Sequence, residues 1–240
     1  MDFIEGEILH IDKPLHWTSF RLVRVVRAKL CQKLRIKKLK VGHAGTLDPL
    51  ATGVMTICTG KKTKEIERLQ AQTKEYIAEI RLGATTPSFD LETEIDAEYP
   101  TEHITRKKVE DCLKKFIGEI EQIPPVYSAV KIDGKRAYEF ARKNEEIELK
   151  SKILVIDDIE LLFYNLPTIT IRVVCSKGTY IRALARDIGE SLQSGAYILA
   201  LKRTKVGDIS LNDCLKVEEL DEFFNQHIIT TKDIIRKESV

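Results

Sequence analysis

Gly42-His43-Ala44-Gly45-Thr46-Leu47-Asp48-Pro49-Leu50-Ala51-Thr52-Gly53 places one carboxylate among three glycines, a histidine and a proline. From Arg21 to Lys64 the chain carries twelve Lys or Arg (21, 24, 27, 29, 33, 35, 37, 38, 40, 61, 62 and 64) against a single acid, Asp48, so this segment holds +11. The whole chain is only +2, which leaves −9 for the remainder. An isolated Asp-Pro reads as a surface turn, because Asp accepts hydrogen bonds from nearby backbone N–H groups and Pro fixes the next φ. Here the acid sits alone in a strongly basic stretch of an otherwise acidic chain. That sorting of charge points to a polyanionic partner, either nucleic acid or a membrane surface, and the small residues around Asp48 point to a shaped site.

Length and composition bound the rest. With 240 residues, 43% hydrophobic and 32% charged, the chain has material for one large core or two modest ones. No run approaches the roughly 18 apolar residues of a membrane span, and Met1 to Glu7 shows no basic region followed by an apolar one, so the reading is a cytoplasmic protein. The cysteines at 31, 58, 112, 175 and 214 are odd in number and lack any C-x-x-C. They form neither a disulfide framework nor a zinc-ligand set, and read as buried thiols in a reducing compartment.

The patterning predicts alternating elements. Glu7 to Lys13 reads as a strand that turns at Pro14, followed by a helix capped by Thr18 or Ser19. That helix has Leu22, Val23, Val26 and Leu30 inward and Arg21, Arg24 and Arg27 outward. Val54 to Thr59 predicts a buried strand, Lys61 to Gln72 a helix, and Lys74 to Gly83 a half-buried strand. Residues 84–103 read as an irregular excursion, and Thr105 to Ile117 as a helix with Val109, Cys112, Leu113 and Phe116 inward. Ile123-Pro124-Pro125 stops regular structure ahead of a charged arm over 127–150. Ile153 to Tyr164 and Thr168 to Cys175 form a hairpin. A helix from Ile181 to Gln193, a strand from Ala196 to Lys205 and a short helical tail from Leu211 complete the chain. The fold class is α+β: a mixed or antiparallel central sheet with flanking helices.

Several chemistries fail on spacing. Gly60-Lys61-Lys62-Thr63 imitates a phosphate loop, but six residues separate Gly53 from Gly60 where four are required, and Lys62 interrupts the Lys-Ser/Thr pair. G-x-G-x-x-G, G-x-S-x-G and the H-x-E with P-C-x-x-C of zinc deaminases are all missing from the sequence. An enzyme using one carboxylate on a flexible small-residue loop, or no enzyme at all, remains.

The Gly42 to Gly53 stretch closely resembles the catalytic motif of the bacterial TruB-type tRNA pseudouridine synthases, and other stretches match in the same order. Lys13-Pro14 with Thr18-Ser19 resembles their N-terminal motif, and Lys74-Glu75-Tyr76 the strand bearing their active-site tyrosine. Gln122-x-Pro124-Pro125-x-x-Ser128-Ala129-x-Lys131-x-x-Gly134, continuing to Tyr138 and Ala141-Arg142, resembles their RNA-gripping thumb. Gly178-Thr179-Tyr180-Ile181-Arg182 resembles their arginine motif, and Leu199 to Arg203 their last catalytic motif.

The resemblance implies a pseudouridine synthase fold over 1–212 with a thumb insertion at about 123–150. After it comes a short tail, 213–240, too short for the RNA-binding PUA domain that many bacterial relatives append. It implies isomerisation of uridine 55 in the tRNA T loop, by base flipping and without cofactor or metal. The expected partner is the tRNA T stem-loop. A monomer with no obligate protein partner and no membrane association is expected. Asp48, Tyr76 and Arg182 would be catalytic, with Arg182 pairing Asp48 and Tyr76 packing on the target base. His43 would hold the T loop open and Leu201 would wall the base. Lys64, Lys131 and Arg142 would face phosphates, and Asp90 would lie near the RNA. Around Asp90, Thr85 to Glu92 departs from the family pattern, lacking its usual Thr-Asp-Thr and glycine.

Overall fold

The computed structural model describes residues 1–128, 130–132, 134–141, 145 and 147–228. Of the expected RNA contacts, Arg142 and the side chain of Lys131 lie outside the described residues, as does part of the expected thumb. In chain order the elements are β1 (Ile8–Lys13), α1 (Ser19–Leu34), β2 (Val41–His43), β3 (Ala51–Thr59), a 3-10 segment (Gly60–Glu65), α2 (Ile66–Gln70) and β4 (Lys74–Leu82). β5 (Ala84–Thr85), β6 (Ala97–Glu98), α3 (Arg106–Lys114), β7 (Gly118–Gln122), β8 (Lys131–Ile132), β9 (Lys135–Arg136) and α4 (Ala137–Ala141) follow. β10 (Lys152–Asn165), β11 (Thr168–Cys175), α5 (Ile181–Ser191), β12 (Ala196–Val206), β13 (Ile209–Ser210) and α6 (Leu220–His227) complete the order.

The chain forms two compact units: residues 1–72 with those from 203 onward, and residues 73–202. In the first, β1 pairs antiparallel with β3, Ile11 opposite Met55, and β2 pairs with the other end of β3, His43 opposite Ile57. α1 begins where Thr18 accepts a hydrogen bond from the Arg21 N–H at 3.0 Å, and ends at Arg35 in the left-handed region. Its inward residues are the four expected from periodicity, Leu22, Val23, Val26 and Leu30, together with Ser19. They share a core with Phe3, Leu9, Ile11, Met55, Ile57, Leu220 and Phe224. The segment expected as a helical tail thus closes this core: Leu220 and Phe224 are fully buried on α6, and Phe224 meets the edge of Phe3 at 5.4 Å between centroids. Truncating a buried ring of this kind costs about 3–5 kcal/mol, so α6 is a structural element rather than an appendage.

In the second unit the order β4, β11, β10, β7 is antiparallel throughout, with Tyr76 opposite Val173 and Ile120 opposite Leu154. The hairpin of β10 and β11 turns at the expected residues, and α3 and α5 pack on this sheet. Alternation buries Tyr76, Ala78, Ile80 and Leu82 of β4, and α5, which contacts β4, buries Ala183, Leu184 and Ile188.

Three expectations change. The helix expected from Lys61 opens as a 3-10 segment because Thr63 donates its hydroxyl to the Gly60 carbonyl at 2.8 Å, which competes with the helical ladder. The excursion at 84–103 contains the two-residue ladder of β5 and β6. β7, Gly-Glu-Ile-Glu-Gln, is a strand that its single apolar residue did not announce; it is held by backbone pairing along β10.

Candidate active site

Asp48 lies on the loop between β2 and β3, half-buried, and that loop is fastened on three sides. Ser19, the first residue of α1, donates its hydroxyl to the Leu47 carbonyl and accepts the Leu47 N–H, each at 2.9 Å. On the other side of Asp48, the His16 N–H donates to the Pro49 carbonyl at 2.8 Å. The Ala51 N–H donates to the carbonyl of Asp48 itself at 3.1 Å, closing the turn that Asp-Pro predicts.

Arg203 forms the floor. Its side chain is 1% exposed and donates through Nε to the Val54 carbonyl at 2.7 Å, through Nη2 to Gly45 at 3.2 Å and through Nη1 to Thr46 at 3.5 Å. One guanidinium thereby joins the start of the loop to the strand after it. Gly53 lets that happen: it has φ +109°, and a Cβ there would stand 2.1 Å from the Arg203 carbonyl oxygen.

Two titratable neighbours belong to this floor. Lys13, wholly buried at the end of β1, donates to the carbonyls of Pro14 at 2.9 Å and Trp17 at 2.6 Å. Burial pushes its ammonium down to about 8; the charge of Asp48 is the foremost opposing influence, Arg203 adds to the lowering, and Asp12 opposes it. His43, half-buried on β2, is held below its ordinary range first by burial and then by Arg203, with the Gly45 backbone opposing, so the ring is neutral at physiological pH. Lys64 is exposed in the 3-10 segment.

The second unit carries the remaining residues. Tyr76 points into its core from β4 and is 8% exposed. Arg182 stands in the first turn of α5, whose entry is fixed by Gln122. That amide accepts the Tyr180 N–H at 2.9 Å and donates to the Tyr180 carbonyl at 3.2 Å. Arg182 is 4% exposed and donates to the carbonyls of Ser88 at 3.0 Å and Tyr127 at 2.8 Å. Its Nε lies 3.6 Å from Asp90. Asp90, expected near RNA, is buried facing Arg182, and its other oxygen accepts the Glu92 N–H at 2.9 Å. Leu201 is half-buried on β12. Thus His43 and Asp48 belong to the first unit, and Tyr76, Asp90, Arg182 and Leu201 to the second.

In the sequence Lys13 and Arg203 stand out only as motif members, and Ser19 as a motif member and a candidate helix cap. A signal for Lys13 was present, since Leu9, Ile11 and Lys13 share the inward register of β1. A charged residue at an inward position calls for buried partners. Nothing local in the sequence tells that Ser19 reaches Leu47, 28 residues away.

Comparison with known proteins bears on this arrangement. Residues 32–181 match a family described as the TruB family pseudouridylate synthase N-terminal domain, and residues 182–236 match the tRNA pseudouridylate synthase B C-terminal domain. The tRNA pseudouridine synthase B of Phocaeicola vulgatus is 68% identical over 229 residues, covering 95% of this chain and 97% of the relative. That of Flavobacterium johnsoniae is 50% identical, covering 92% and 97%. Among solved structures, a chain of a Cbf5-Nop10-Gar1 complex is similar with a TM-score of 0.67 and 26% identity; the match covers 96% of this chain and 59% of that longer one.

Two outcomes test the fastening of the loop. Ser19→Ala leaves the buried N–H and carbonyl of Leu47 without their partner and should cost about 1–3 kcal/mol in urea unfolding. For Lys13, the folded chain releases the proton from about pH 8, while the unfolded chain holds it to about 10.5. Since stability rises with pH wherever the unfolded state binds more protons, the Lys13 contribution should be flat below 8 and climb from 8 to 10.5. Unfolding curves across that window should show the climb in the wild type and lose it in Lys13→Met; an equal slope in both would remove Lys13 as its source.

Proposed function

The chain belongs to the TruB family of pseudouridylate synthases, and we propose that it is a cytoplasmic enzyme that isomerises uridine 55 in the T loop of tRNA to pseudouridine. The observation that carries the reading is the loop of Asp48: a half-exposed carboxylate held between residues whose backbones are tied to Ser19, His16 and Arg203. Pre-organisation of this kind is what a reacting carboxylate requires, because misplacement by about 1 Å can cost about a hundredfold in rate.

The reaction breaks the N1–C1′ bond, turns the uracil and joins C5 to C1′; N1 gains a proton and C5 loses one, so no external reactant is consumed. Positive charge develops at C1′ as the bond opens, and C6 of the ring is electrophilic. Asp48 can answer either. In this reading Arg182 supports Asp48 and Tyr76 packs on the base and takes part in the proton transfer from C5. Leu201 walls the pocket. The uridine must leave its stack before it can turn, at a cost of a few kcal/mol. The neutral imidazole of His43 fits the vacated space better than an imidazolium would, since a ring that replaces a base is stripped of water.

Affinity comes from the basic run. Lys37, Lys38, Lys40 and Lys64 are exposed, and each phosphate they neutralise releases counterions, so binding should weaken steeply with salt. Shape and stacking then select the loop, as is general for single-stranded RNA elements.

Asp48→Asn keeps the size of the side chain and removes its charge. Tritium release from tRNA labelled at uridine C5 should fall below detection in this variant, while tRNA affinity stays within a few-fold of wild type. Normal turnover by Asp48→Asn would contradict the assignment; a folded wild type that binds tRNA and releases no tritium would instead leave a protein that merely binds RNA.

A further inference from the structure

The entry to α1 carries an aromatic and basic cluster that the reading so far leaves unused. Phe20, in the first turn of the helix, is 64% exposed, and Leu15 just ahead of it is 49% exposed. The guanidinium of Arg24 lies 6.0 Å from the centroid of the Phe20 ring, and that of Arg21 lies over Trp17 at 4.1 Å. Trp17 is half-buried against the core of the first unit, so it serves as a backing for the Arg21 plane. Phe20 and the Arg21 guanidinium therefore offer two flat faces, one apolar and one cationic, on a helix that presents no acid in its first turn.

This cluster is wired to Asp48. Ser19, next to Phe20, holds Leu47, and His16, next to Trp17, holds Pro49, so the two residues flanking Asp48 are each bonded to this segment. The buried Lys13 amine adds a third tie by donating to the Trp17 carbonyl. A ligand resting on Phe20 would be placed relative to Asp48 by the connections of Ser19 to Leu47 and of His16 to Pro49.

We propose that Phe20, with Arg21 and Arg24, is a stacking platform for an unstacked nucleobase of the RNA substrate that neighbours the reacting uridine. The inference rests on the tRNA reading above. The occupant is argued from charge and shape: a flat apolar ring with the Arg24 guanidinium beside it, directly ahead of the segment of +11 that opens at Arg21, complements a base flanked by phosphates. A protein partner would need an acidic face to match those cations, whereas every nucleotide brings its own phosphate.

The test uses a T-arm hairpin RNA and the full chain, with binding followed by the fluorescence of Trp17, the chain's single tryptophan, and by filter retention. Phe20→Ala should raise Kd about tenfold, as expected for the loss of one stacked base. It should raise KM more than it lowers kcat and leave the salt slope unchanged, whereas Arg24→Ala should reduce that slope by about 1. Phe20→Tyr should bind like wild type. Hairpins carrying an abasic site at each loop position in turn identify the stacked base. At one position the abasic change should cost wild type about tenfold and cost Phe20→Ala nothing further. Wild-type affinity in Phe20→Ala, or losses that add independently at every position, would overturn the platform. Pseudouridine formation by wild type on the same hairpin reports separately on the tRNA reading, which stands if the platform alone fails.

Discussion

A single buried guanidinium governs the geometry around Asp48. Arg203 enters the core of the first unit with its hydrogens directed at the carbonyls of Val54, Gly45 and Thr46. Breaking such a buried set would leave several unsatisfied groups at once, each costing about 1–3 kcal/mol, so the loop and the strand behind it are held as one piece. Gly53 is required because the backbone of Arg203 approaches it closely, and Ser19 is useful because it faces the loop from the opposite side. A loop rich in small residues would ordinarily be the most mobile part of a chain. Here its backbone polar groups are largely engaged, and the carboxylate it carries is presented in one place.

The electrostatics follow from the same residues. Lys13 and Arg203 put two cations under a loop with one acid, and Arg203 is also a reason that His43 remains neutral. α1 and the following linker of the same unit carry exposed basic residues, a charge that favours a polyanion at this unit. The second unit solves a similar problem differently. Arg182, buried in the first turn of α5, is met by Asp90 and two carbonyls, which joins the turn around Ser88 to the segment around Tyr127. Both units therefore use a buried arginine to hold irregular backbone in place.

Much of this was legible in the sequence where the cause is local. The cap at Thr18, the four inward residues of α1 and the turn between β10 and β11 all follow from spacing and turn chemistry. The Gly42 to Gly53 stretch stands out in the sequence through its charge contrast and its family resemblance, and it folds as the fastened loop that carries Asp48. What escaped depends on distant contacts. β7 is a strand because β10 is beside it, and α6 is part of the core because Leu220 and Phe224 meet α1 across nearly the whole chain. The 3-10 start at Gly60 turns on one hydroxyl of Thr63. Ser19 looked like one more helix-start residue, since its partner Leu47 lies in another element.

The proposed role of the fastened carboxylate at Asp48 is uridine isomerisation in tRNA. Nucleotide-resolution mapping of pseudouridine in transcribed tRNA, before and after incubation with the purified protein, tests it most directly. One new pseudouridine should appear, at position 55 of the T loop, without added cofactor. An unchanged uridine at that position, with folded protein bound to the tRNA, would contradict it.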